Sequence, residues 1–453
     1  MITLNHVKNI YFLGIGGIGM SALARYFHQH GRKIYGYDKT SSALITQLIK
    51  EGMEITFDDN PINIPEDIDL AIYTPAIPDE HALFQHFRQR QVPLFKRSEI
   101  LEIITQDKFT VAVAGSHGKT TVTAMIAHVL RYAGKDPMAF LGGISLNYHT
   151  NYLHGASGIV VVEADEFDRS FLRLTPDIAV ITAIDTDHLD IYKTYENIQQ
   201  AFLEFAGKIK PDGCLVAQSK IPVLDKITLP DIRLYGVSEQ QVDYSAAAIR
   251  YEQGVLHFNI TGNDGISGII LTMGGVHNVE NALAAYAVAR RLGVDKEQIK
   301  DALKDFKGVK RRFEYLIRTE KLVFIDDYAH HPREISALLH AVRAMFPYKK
   351  ITAVFQPHLY TRTRDLSEGF AEALNLADEV FLLPVYAARE KPIPGVSSEI
   401  IARKLNIPHK VVDKEFLLSG IKEKKIEVLL TIGAGDIDVL AGDLKGILLR
   451  SST

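Results

Sequence analysis

The chain has 453 residues, of which 47% are hydrophobic and 23% are charged, and its formal net charge is -4. This composition is typical of a globular protein of roughly three domains, and it excludes a chain whose whole surface attracts nucleic acid. Because there is one cysteine, Cys214, and no apolar run of membrane-spanning length, we expect a cytoplasmic protein with no membrane insertion. The net charge favours no nucleic-acid partner, and the sequence leaves a monomer and a homodimer both open.

The first 107 residues alternate between strand-like and helix-like patterns, which favours a small α/β domain. Strand-like Ile10–Leu13 leads into a glycine-rich turn, a helical stretch and a second strand that ends near Asp38. Gly14, Gly16 and Gly19 have the spacing of a dinucleotide-binding loop, and Asp38 is placed to accept a ribose hydroxyl. On its own this motif indicates only that a pyrophosphate, as in NAD or a UDP-sugar, can rest on the helix N-terminus.

The same alternation continues with strand-like Leu70–Tyr73 and helix-like segments at 81–90 and 98–105. A second unit then begins near residue 108 and runs to about Gly308, where a polar connector follows. These boundaries predict domains over residues 1–107, 108–308 and 309–453.

The most informative stretch is residues 111–121, Val-Ala-Val-Ala-Gly-Ser-His-Gly-Lys-Thr-Thr. A strand over Phe109–Ala114 enters a glycine turn and a helix follows, so backbone N–H groups and a helix N-terminus point at one place, which suits a polyphosphate. Lys119 would reach the outer phosphates of ATP and the Thr120 hydroxyl would ligate Mg²⁺. The pattern is not the standard one, because Val113 stands where its first glycine is expected, and a turn with a solvated lysine is the alternative. The predicted loop residues are Gly115, Ser116, His117, Gly118, Lys119, Thr120 and Thr121.

Acidic residues follow two apolar strands in this second unit. The strand Ile159–Val162 ends at Glu163, and the strand Ile178–Ile184 ends in Asp-Thr-Asp-His188. Acids at the carboxyl ends of parallel strands beside a phosphate loop are placed to hold Mg²⁺. The alternatives are a solvated acidic rim and, for His188, a histidine hydrogen-bonded between two aspartates.

Three further motifs carry polar side chains. The segment Gly-Gly-Val-His277-Asn278-Val-Glu-Asn281 opens a helix on which both amides share a face, where they would bind a base edge unless Asn278 caps the helix. The third unit contains Asp-Asp-Tyr-Ala-His-His-Pro from residue 326. It also contains Gln-Pro-His-Leu-Tyr-Thr-Arg362-Thr-Arg364, whose arginine pair would bind a carboxylate or phosphate unless it lies in a solvated loop.

Taken in order, these motifs resemble the Mur ligases, within which they are most similar to the alanine-adding branch. The motifs are Gly-Ile-Gly-Gly-Ile-Gly-Met-Ser, Gly-Ser-His-Gly-Lys-Thr-Thr, Glu-Ala-Asp-Glu, Asp-His-Leu-Asp, His-Asn-Val-Glu-Asn, Arg-Arg-Phe-Glu, Asp-Asp-Tyr-Ala-His-His-Pro and Gln-Pro-His-Leu-Tyr-Thr-Arg-Thr-Arg-Asp. The resemblance implies an α/β protein of three domains: an N-terminal Rossmann-like UDP-binding domain, a central P-loop ATPase domain and a C-terminal Rossmann-like domain that admits the amino acid.

The resemblance also implies roles for individual residues. The residues that would hold the UDP substrate are Gly14, Gly16, Gly17, Ile18, Gly19, Met20, Ser21 and Asp38. Those that would bind ATP beyond the phosphate loop are His277, Asn278, Asn281, Arg312, Asp327 and Tyr328. Those that would bind Mg²⁺ are Thr120, Glu163 and His188, and the catalytic set is Lys119, His188, Arg312, His330, His358 and Arg362.

The implied reaction joins L-alanine to the lactyl carboxylate of UDP-N-acetylmuramate through an acyl phosphate, at the expense of ATP. His188, His330 or His358 would accept the proton of the amine. Many relatives have arginine where this chain has Leu359, so Arg362 and Arg364 would have to recognise the amino-acid carboxylate. The alternatives are a UDP-N-acetylmuramate:peptide ligase of cell-wall recycling, a folate polyglutamylating ligase and an ATP-dependent binding module without catalysis.

Overall fold

The protein contains three β-sheets, each flanked by helices. The structure is a computed structural model that describes residues 4–185, 189–252, 254–388 and 390–451. Within these ranges, the chain divides into two compact units. The first unit comprises the chain up to Ala247 with Ile260–Ser267 and Glu280–Phe306, and the second comprises Ala248–Asn259, Gly268–Val279 and the chain from Lys307. Among the described helices, none combines the length and the apolarity needed to cross a bilayer.

The first sheet has five parallel strands in the order β3-β2-β1-β4-β5. Its strands are β1 Asn9–Leu13, β2 Lys33–Tyr37, β3 Glu54–Thr56, β4 Leu70–Tyr73 and β5 Leu94–Lys96, and its helices are α1 Ile18–Gln29, α2 Ala43–Lys50, α3 Ala82–Gln89 and α4 Arg97–Thr105. Strand β1 lies at the centre and is almost wholly buried, so the loop that follows it opens at the middle of the carboxyl edge.

The second sheet has ten strands in the order β15-β14-β13-β12-β11-β10-β6-β9-β7-β8. Its strands are β6 Phe109–Ala114, β7 Met138–Phe140, β8 Tyr152–Leu153, β9 Ile159–Glu163, β10 Ile178–Ile181, β11 Cys214–Gln218, β12 Ile232–Val237, β13 Tyr244–Glu252, β14 Val255–Gly262 and β15 Ile266–Leu271. The helices along this stretch of chain are α5 Lys119–Tyr132, α6 Leu189–Tyr192, α7 Tyr195–Ala206, α8 Val276–Arg291 and α9 Lys296–Asp305. Strand β6 pairs in parallel with β9 and β10, which brings the acidic ends of both strands beside the phosphate loop.

The third sheet has six strands in the order β16-β17-β21-β18-β19-β20, in which only β16 is antiparallel to its neighbour. Its strands are β16 Glu314–Arg318, β17 Val323–Asp327, β18 Ile351–Phe355, β19 Glu379–Leu382, β20 His409–Val411 and β21 Val428–Ile432. Its helices are α10 Pro332–Met345, α11 Tyr360–Asp365, α12 Ser367–Leu374, α13 Glu399–Ala402, α14 Lys414–Lys422 and α15 Ile437–Ser451. Short 3-10 turns at Leu4–His6, Pro61–Asn63, Phe167–Arg173 and Leu224–Lys226 complete the described elements.

The expected α/β class with three sheets is confirmed, with two differences in detail. Strand β10 ends at Ile181 rather than at Ile184, because Thr182 turns toward the phosphate loop and its hydroxyl donates a hydrogen bond to the His117 carbonyl. The strands β12 to β15 had not been singled out in the sequence. Their alternating burial, clearest in β14, is the period-two pattern of a half-buried strand.

The first two sheets are joined within the first unit by a buried polar cluster. The Asn151 amide donates to the Ile18 carbonyl at 2.6 Å and to the Ser21 hydroxyl at 2.9 Å, at the start of α1. Its carbonyl oxygen accepts from Arg25, which is also bound through two 2.8 Å hydrogen bonds to Glu51. Since buried polar groups are costly to leave without partners, this cluster fixes the start of α1 against the second sheet.

Candidate active site

The phosphate loop has, at two positions, a left-handed backbone and a close packing that favour glycine. Gly115 has φ +133°, and a Cβ there would lie 2.1 Å from the Thr182 hydroxyl. Gly118 has φ +82°, and a Cβ there would lie 2.7 Å from the Asn281 amide oxygen. The loop therefore packs directly against the end of β10 and against Asn281, and its conformation is set by contacts as well as by local preference.

Ser116 and His117 hold the loop to the segment after β10. The Ser116 N–H donates to the Ala183 carbonyl at 2.9 Å, and the Ser116 hydroxyl accepts from the Asp185 N–H at 2.8 Å. The His117 Nε2 lies 3.4 Å from an Asp185 carboxylate oxygen. These predicted ATP-binding residues thus fix the shape of the loop, while helix α5, buried from Thr120 to Leu130, fixes its direction.

Lys119 is the first residue of α5 and is nearly buried. Its Nζ donates to the Gly115 carbonyl at 2.8 Å and lies 2.8 Å from a Glu166 carboxylate oxygen. Burial disfavours the charge, but the carboxylates of Glu166, Asp165 and Glu163 outweigh it, and the pKa of Lys119 is raised. Nζ also donates to the other Glu166 carboxylate oxygen at 2.9 Å, so the three N–H donors of the ammonium face the Gly115 carbonyl and both oxygens of Glu166.

Thr120 and Glu163 form the part of the predicted metal site that the structure describes. The Thr120 hydroxyl donates to a Glu163 carboxylate oxygen at 3.2 Å, and the carboxylate packs so closely on Gly142 that a Cβ there would lie 2.0 Å away. Hydroxyl and carboxylate oxygens are hard donors, which fits Mg²⁺. No group of three candidate metal ligands occurs among the described residues, and the predicted ligand His188 lies outside them.

The glycine loop of the first sheet follows β1 and leads into α1. The N–H groups of Gly14 and Ile15 donate to the Tyr37 carbonyl at 2.8 and 3.1 Å, and the Gly16 N–H donates to an Asp38 carboxylate oxygen at 2.8 Å. Asp38 was expected to accept a ribose hydroxyl, and one of its oxygens already binds the loop. The Gly17 N–H in turn donates to the Gly14 carbonyl at 3.3 Å, so the open part of this loop is its second half, from Ile18 onward.

Arg97 covers the second half of that glycine loop. A Cβ on Gly19 would lie 2.7 Å from an Arg97 guanidinium nitrogen. Arg97 makes no hydrogen bond or ion pair within the described part of the chain, although it lines a small cavity together with Glu163 and Asp165. A cation beside a helix N-terminus adds positive charge to positive charge, and an anion bound between them would relieve the repulsion.

In the second unit, four of the predicted residues form one cluster. The rings of His330 and His358 are 6.3 Å apart, Tyr328 contacts His330 at 5.4 Å, and the charge of Arg362 acts on both histidines. Burial and, secondly, the charge of Arg362 lower the pKa of His358 to about 4, and burial together with Arg362 also lowers the pKa of His330. Both rings are therefore neutral at pH 7 and able to accept a proton.

Two buried atoms in this cluster lack partners among the described residues: Nδ1 of His358 and one terminal nitrogen of Arg362. Arg364 differs, because its guanidinium is exposed and binds the neighbouring Asp365 at 2.7 Å. The structure thus assigns Arg362 to the cluster, whereas a role of Arg364 in carboxylate binding stays a prediction.

Asp327 and Arg312 lie beside this cluster. One Asp327 oxygen accepts from the Phe313 N–H at 2.7 Å and the other accepts from the Ala329 N–H at 2.8 Å, while burial raises the pKa of Asp327 to about 6. The guanidinium of Arg312 lies 5.0 Å from the centre of the Tyr328 ring. Asp327 therefore ties the chain after β17 to the turn that carries Arg312.

The predicted adenine-binding residues lie at the start of α8. His277 is buried, and burial lowers its pKa to about 4. Asn278 is the third residue of α8 rather than its cap, and its amide donates to the Gly274 carbonyl at 2.7 Å. Asn281 lies at the phosphate loop, as its proximity to Gly118 shows.

Three residues of the site had no assigned role in the sequence: Glu166, Arg97 and Glu390, which binds helix α11. Glu166 belongs to a recognised acidic run, so its signal was present but not resolved to one residue. Arg97 and Glu390 lie far along the chain from the residues they contact, and no local pattern marks them.

Comparison with known proteins agrees with this geometry. Residues 9–109 match the Mur ligase family catalytic domain, residues 113–289 the Mur ligase middle domain, and residues 311–444 the Mur ligase glutamate ligase domain. The chain is 45% identical over 453 residues to the UDP-N-acetylmuramate–L-alanine ligase of Flavobacterium johnsoniae, with 99% of each chain covered. The chain belongs to the Mur ligase family.

Further relatives of this Mur ligase give the same result. It is 45% identical to the UDP-N-acetylmuramate–L-alanine ligase of Cytophaga hutchinsonii, with 96% of each chain covered. The crystal structure of the UDP-N-acetylmuramate-alanine ligase of Thermotoga maritima superposes with a TM-score of 0.86 at 32% identity and covers 99% of this chain and 100% of its own. The protein is accordingly an ATP-dependent ligase with the Mur ligase fold.

Proposed function

We propose that this Mur ligase joins L-alanine to the carboxylate of UDP-N-acetylmuramate and converts ATP to ADP and phosphate. The observation that carries the proposal is the buried, charged Lys119 at a phosphate loop, beside the Thr120–Glu163 contact. Similarity along the whole chain to ligases named for these two substrates supports the choice of substrates. Use of two intracellular nucleotides supports reaction in the cytoplasm.

The chemistry requires activation of the carboxylate, because its oxygen does not leave when an amine attacks. A carboxylate oxygen attacks the γ-phosphorus of ATP, the bond to the bridging oxygen breaks and ADP departs. The amine nitrogen then attacks the acyl carbon, and the phosphate leaves with the electron pair of the broken C–O bond. One amide bond forms and one phosphoanhydride bond is lost.

Lys119 and the loop supply the positive potential for the first step. The charge of Lys119 and the backbone N–H groups of the loop would attract the outer phosphates and reduce the repulsion between two anions. Thr120 and Glu163 would hold Mg²⁺, which supplies further charge neutralisation when bound. We include His188 as a further ligand on the basis of its sequence motif.

The sugar nucleotide is assigned to the first glycine loop. Its diphosphate would lie on the N-terminus of α1 beside Arg97. The start of the loop is less available, because the Gly16 N–H already donates to Asp38. The small cavity that Arg97 lines together with Glu163 places Arg97 near the acidic end of β9. Arg97 therefore completes the substrate-binding set of the first sheet.

The amino acid is assigned to the cluster of the second unit. The Arg362 guanidinium would bind the carboxylate of L-alanine. His330 donates from Nδ1 to the Tyr328 carbonyl, at a nitrogen–oxygen distance of 3.1 Å, which leaves Nε2 as the nitrogen that would accept the amine proton.

We also propose domain boundaries at 107/108 and 308/309. The starts of β6 at Phe109 and of β16 at Glu314 support these boundaries.

Phosphate release tests this function. The purified protein is incubated with ATP, Mg²⁺, UDP-N-acetylmuramate and one acceptor at a time: L-alanine, L-serine, glycine or a preformed peptide that begins with L-alanine. We expect release with L-alanine, with a product heavier by one alanyl residue in mass spectrometry, and none with the peptide. Release with the peptide and not with L-alanine would instead identify a peptide ligase.

A further inference from the structure

Helix α11 carries Arg362, whose charge the proposed amino-acid site depends on, and the backbone that leads into this helix has an unusual conformation. It starts after Leu359, which has φ +70° although it is not glycine. Such a backbone persists only where neighbouring contacts hold it. The segment between β19 and α13 provides these contacts: the Leu359 N–H donates to the Tyr386 carbonyl at 2.9 Å, and the Tyr386 N–H donates to the Pro357 carbonyl at 2.8 Å.

The segment between β19 and α13 also contacts two residues of the site, His358 and Thr361. The Tyr386 ring stacks on His358 with 5.7 Å between ring centres and 18° between planes. One Glu390 carboxylate oxygen accepts from the Thr361 N–H at 3.0 Å, and the other accepts from the Thr361 hydroxyl. Thr361 lies in the first turn of α11, where N–H groups have no partner within the helix and a carboxylate is favoured by the helix dipole.

Arg362 follows Thr361 directly, so the contact that holds Thr361 also constrains the turn of α11 from which Arg362 extends. The buried guanidinium nitrogen of Arg362 and Nδ1 of His358 both lack partners within the described ranges, and both belong to groups that this segment holds. Buried polar atoms of this kind are normally satisfied, so they are the atoms that a ligand would complete.

We propose that Glu390 is a positioning residue for the amino-acid substrate: it fixes α11 so that Arg362 meets the carboxylate of the incoming amino acid, and it does not itself touch the substrate. This inference rests on the proposed function, because that function assigns an α-amino acid to this cluster. It adds a residue that sets affinity for one of the three substrates.

The test uses the full chain with Glu390→Ala, Glu390→Gln and Glu399→Gln as matched control, since Glu399 is an exposed glutamate at the start of α13. For Glu390→Ala we expect the KM for L-alanine to rise at least about tenfold, with KM for ATP and UDP-N-acetylmuramate within about twofold. Glu390→Gln keeps an acceptor oxygen and should lie between Glu390→Ala and the wild type. The control should match the wild type.

A double variant separates positioning from general loss of structure. If Glu390 acts through Thr361, combining Glu390→Gln with Thr361→Val should raise the KM for L-alanine by less than the product of the single effects. An unchanged KM for L-alanine in Glu390→Gln and Glu390→Ala, or an equal rise of all three KM values, would overturn the inference. Absence of L-alanine-dependent phosphate release in the wild type would instead overturn the proposed function.

Discussion

The two glycine loops of the first unit share a backbone plan and differ in how they carry charge. Each follows a central, buried parallel strand and leads into a long helix. The second loop has its own cation, Lys119, paired with Glu166 from a neighbouring strand end. The first loop has no cation of its own and receives Arg97 from another helix. Similar turns are thus paired with cations that come from different parts of the fold.

The difference follows from what each phosphate must do. A γ-phosphoryl group that is transferred needs a fixed, buried charge whose protonation does not change, and Glu166 gives Lys119 that environment. A diphosphate that only anchors a substrate needs attraction without chemistry. In the proposed function, Asp38 would keep the diphosphate away from the start of the first loop, and Arg97 would attract it toward the end.

The largest expected effect is the fall in kcat when Lys119, the cation of the second loop, is removed. Lys119→Met should lower kcat about 10³-fold, because the charge that stabilises the transferred phosphoryl group is removed. Phosphate release at saturating substrates measures this. Lys208→Met, at an exposed lysine just after α7, is the matched control. Normal turnover in Lys119→Met would place ATP chemistry elsewhere.

The next effect compares the rigidity of the two loops. Gly115→Ala should lower the free energy of unfolding by about 2–4 kcal/mol, because of its positive φ and its contact with Thr182. Gly17→Ala should cost under about 1 kcal/mol, since its φ is -63° and a Cβ there would meet only ordinary contacts. Chemical denaturation measures both, and equal costs would contradict the comparison.

Arg97, the cation that another helix places at the first loop, should control the affinity for UDP-N-acetylmuramate rather than kcat. Arg97→Met should raise the KM for UDP-N-acetylmuramate about 10- to 100-fold, because a charged hydrogen bond to the diphosphate is lost. The KM for ATP should stay within about twofold. Arg88→Met, at an exposed arginine of α3, is the control. A rise in the KM for ATP alone would assign Arg97 to the second loop.

The smallest effect concerns the acid of the first loop. Asp38→Asn keeps an oxygen that can accept from the Gly16 N–H, so the loop should hold its shape, while the 3.4 Å contact of the second oxygen with the Thr40 N–H and a charged contact to the ribose would weaken. We expect the KM for UDP-N-acetylmuramate to rise less than about tenfold. Steady-state kinetics and an unchanged thermal midpoint would check this, and a collapse of stability would show that the charge itself holds the loop.

Much of the fold could be predicted from local patterns. The bounds of β4 and β6 agree with the sequence prediction, since each strand is an apolar run closed by a turn signal. The strands of the β12–β15 region were not predicted, because their polar outward positions dilute the hydrophobic signal.

The sequence by itself determined the two loops, since glycine spacing and an apolar strand dictate the backbone turn within a few residues. The tertiary structure decided which charges meet there: Glu166 on Lys119, Arg97 on Gly19 and Glu390 on Thr361. Each of these contacts joins residues that are distant along the chain, and it exists because the order of strands in a sheet and the packing of helices bring the segments together. Backbone preference is local, whereas charge pairing depends on the whole fold.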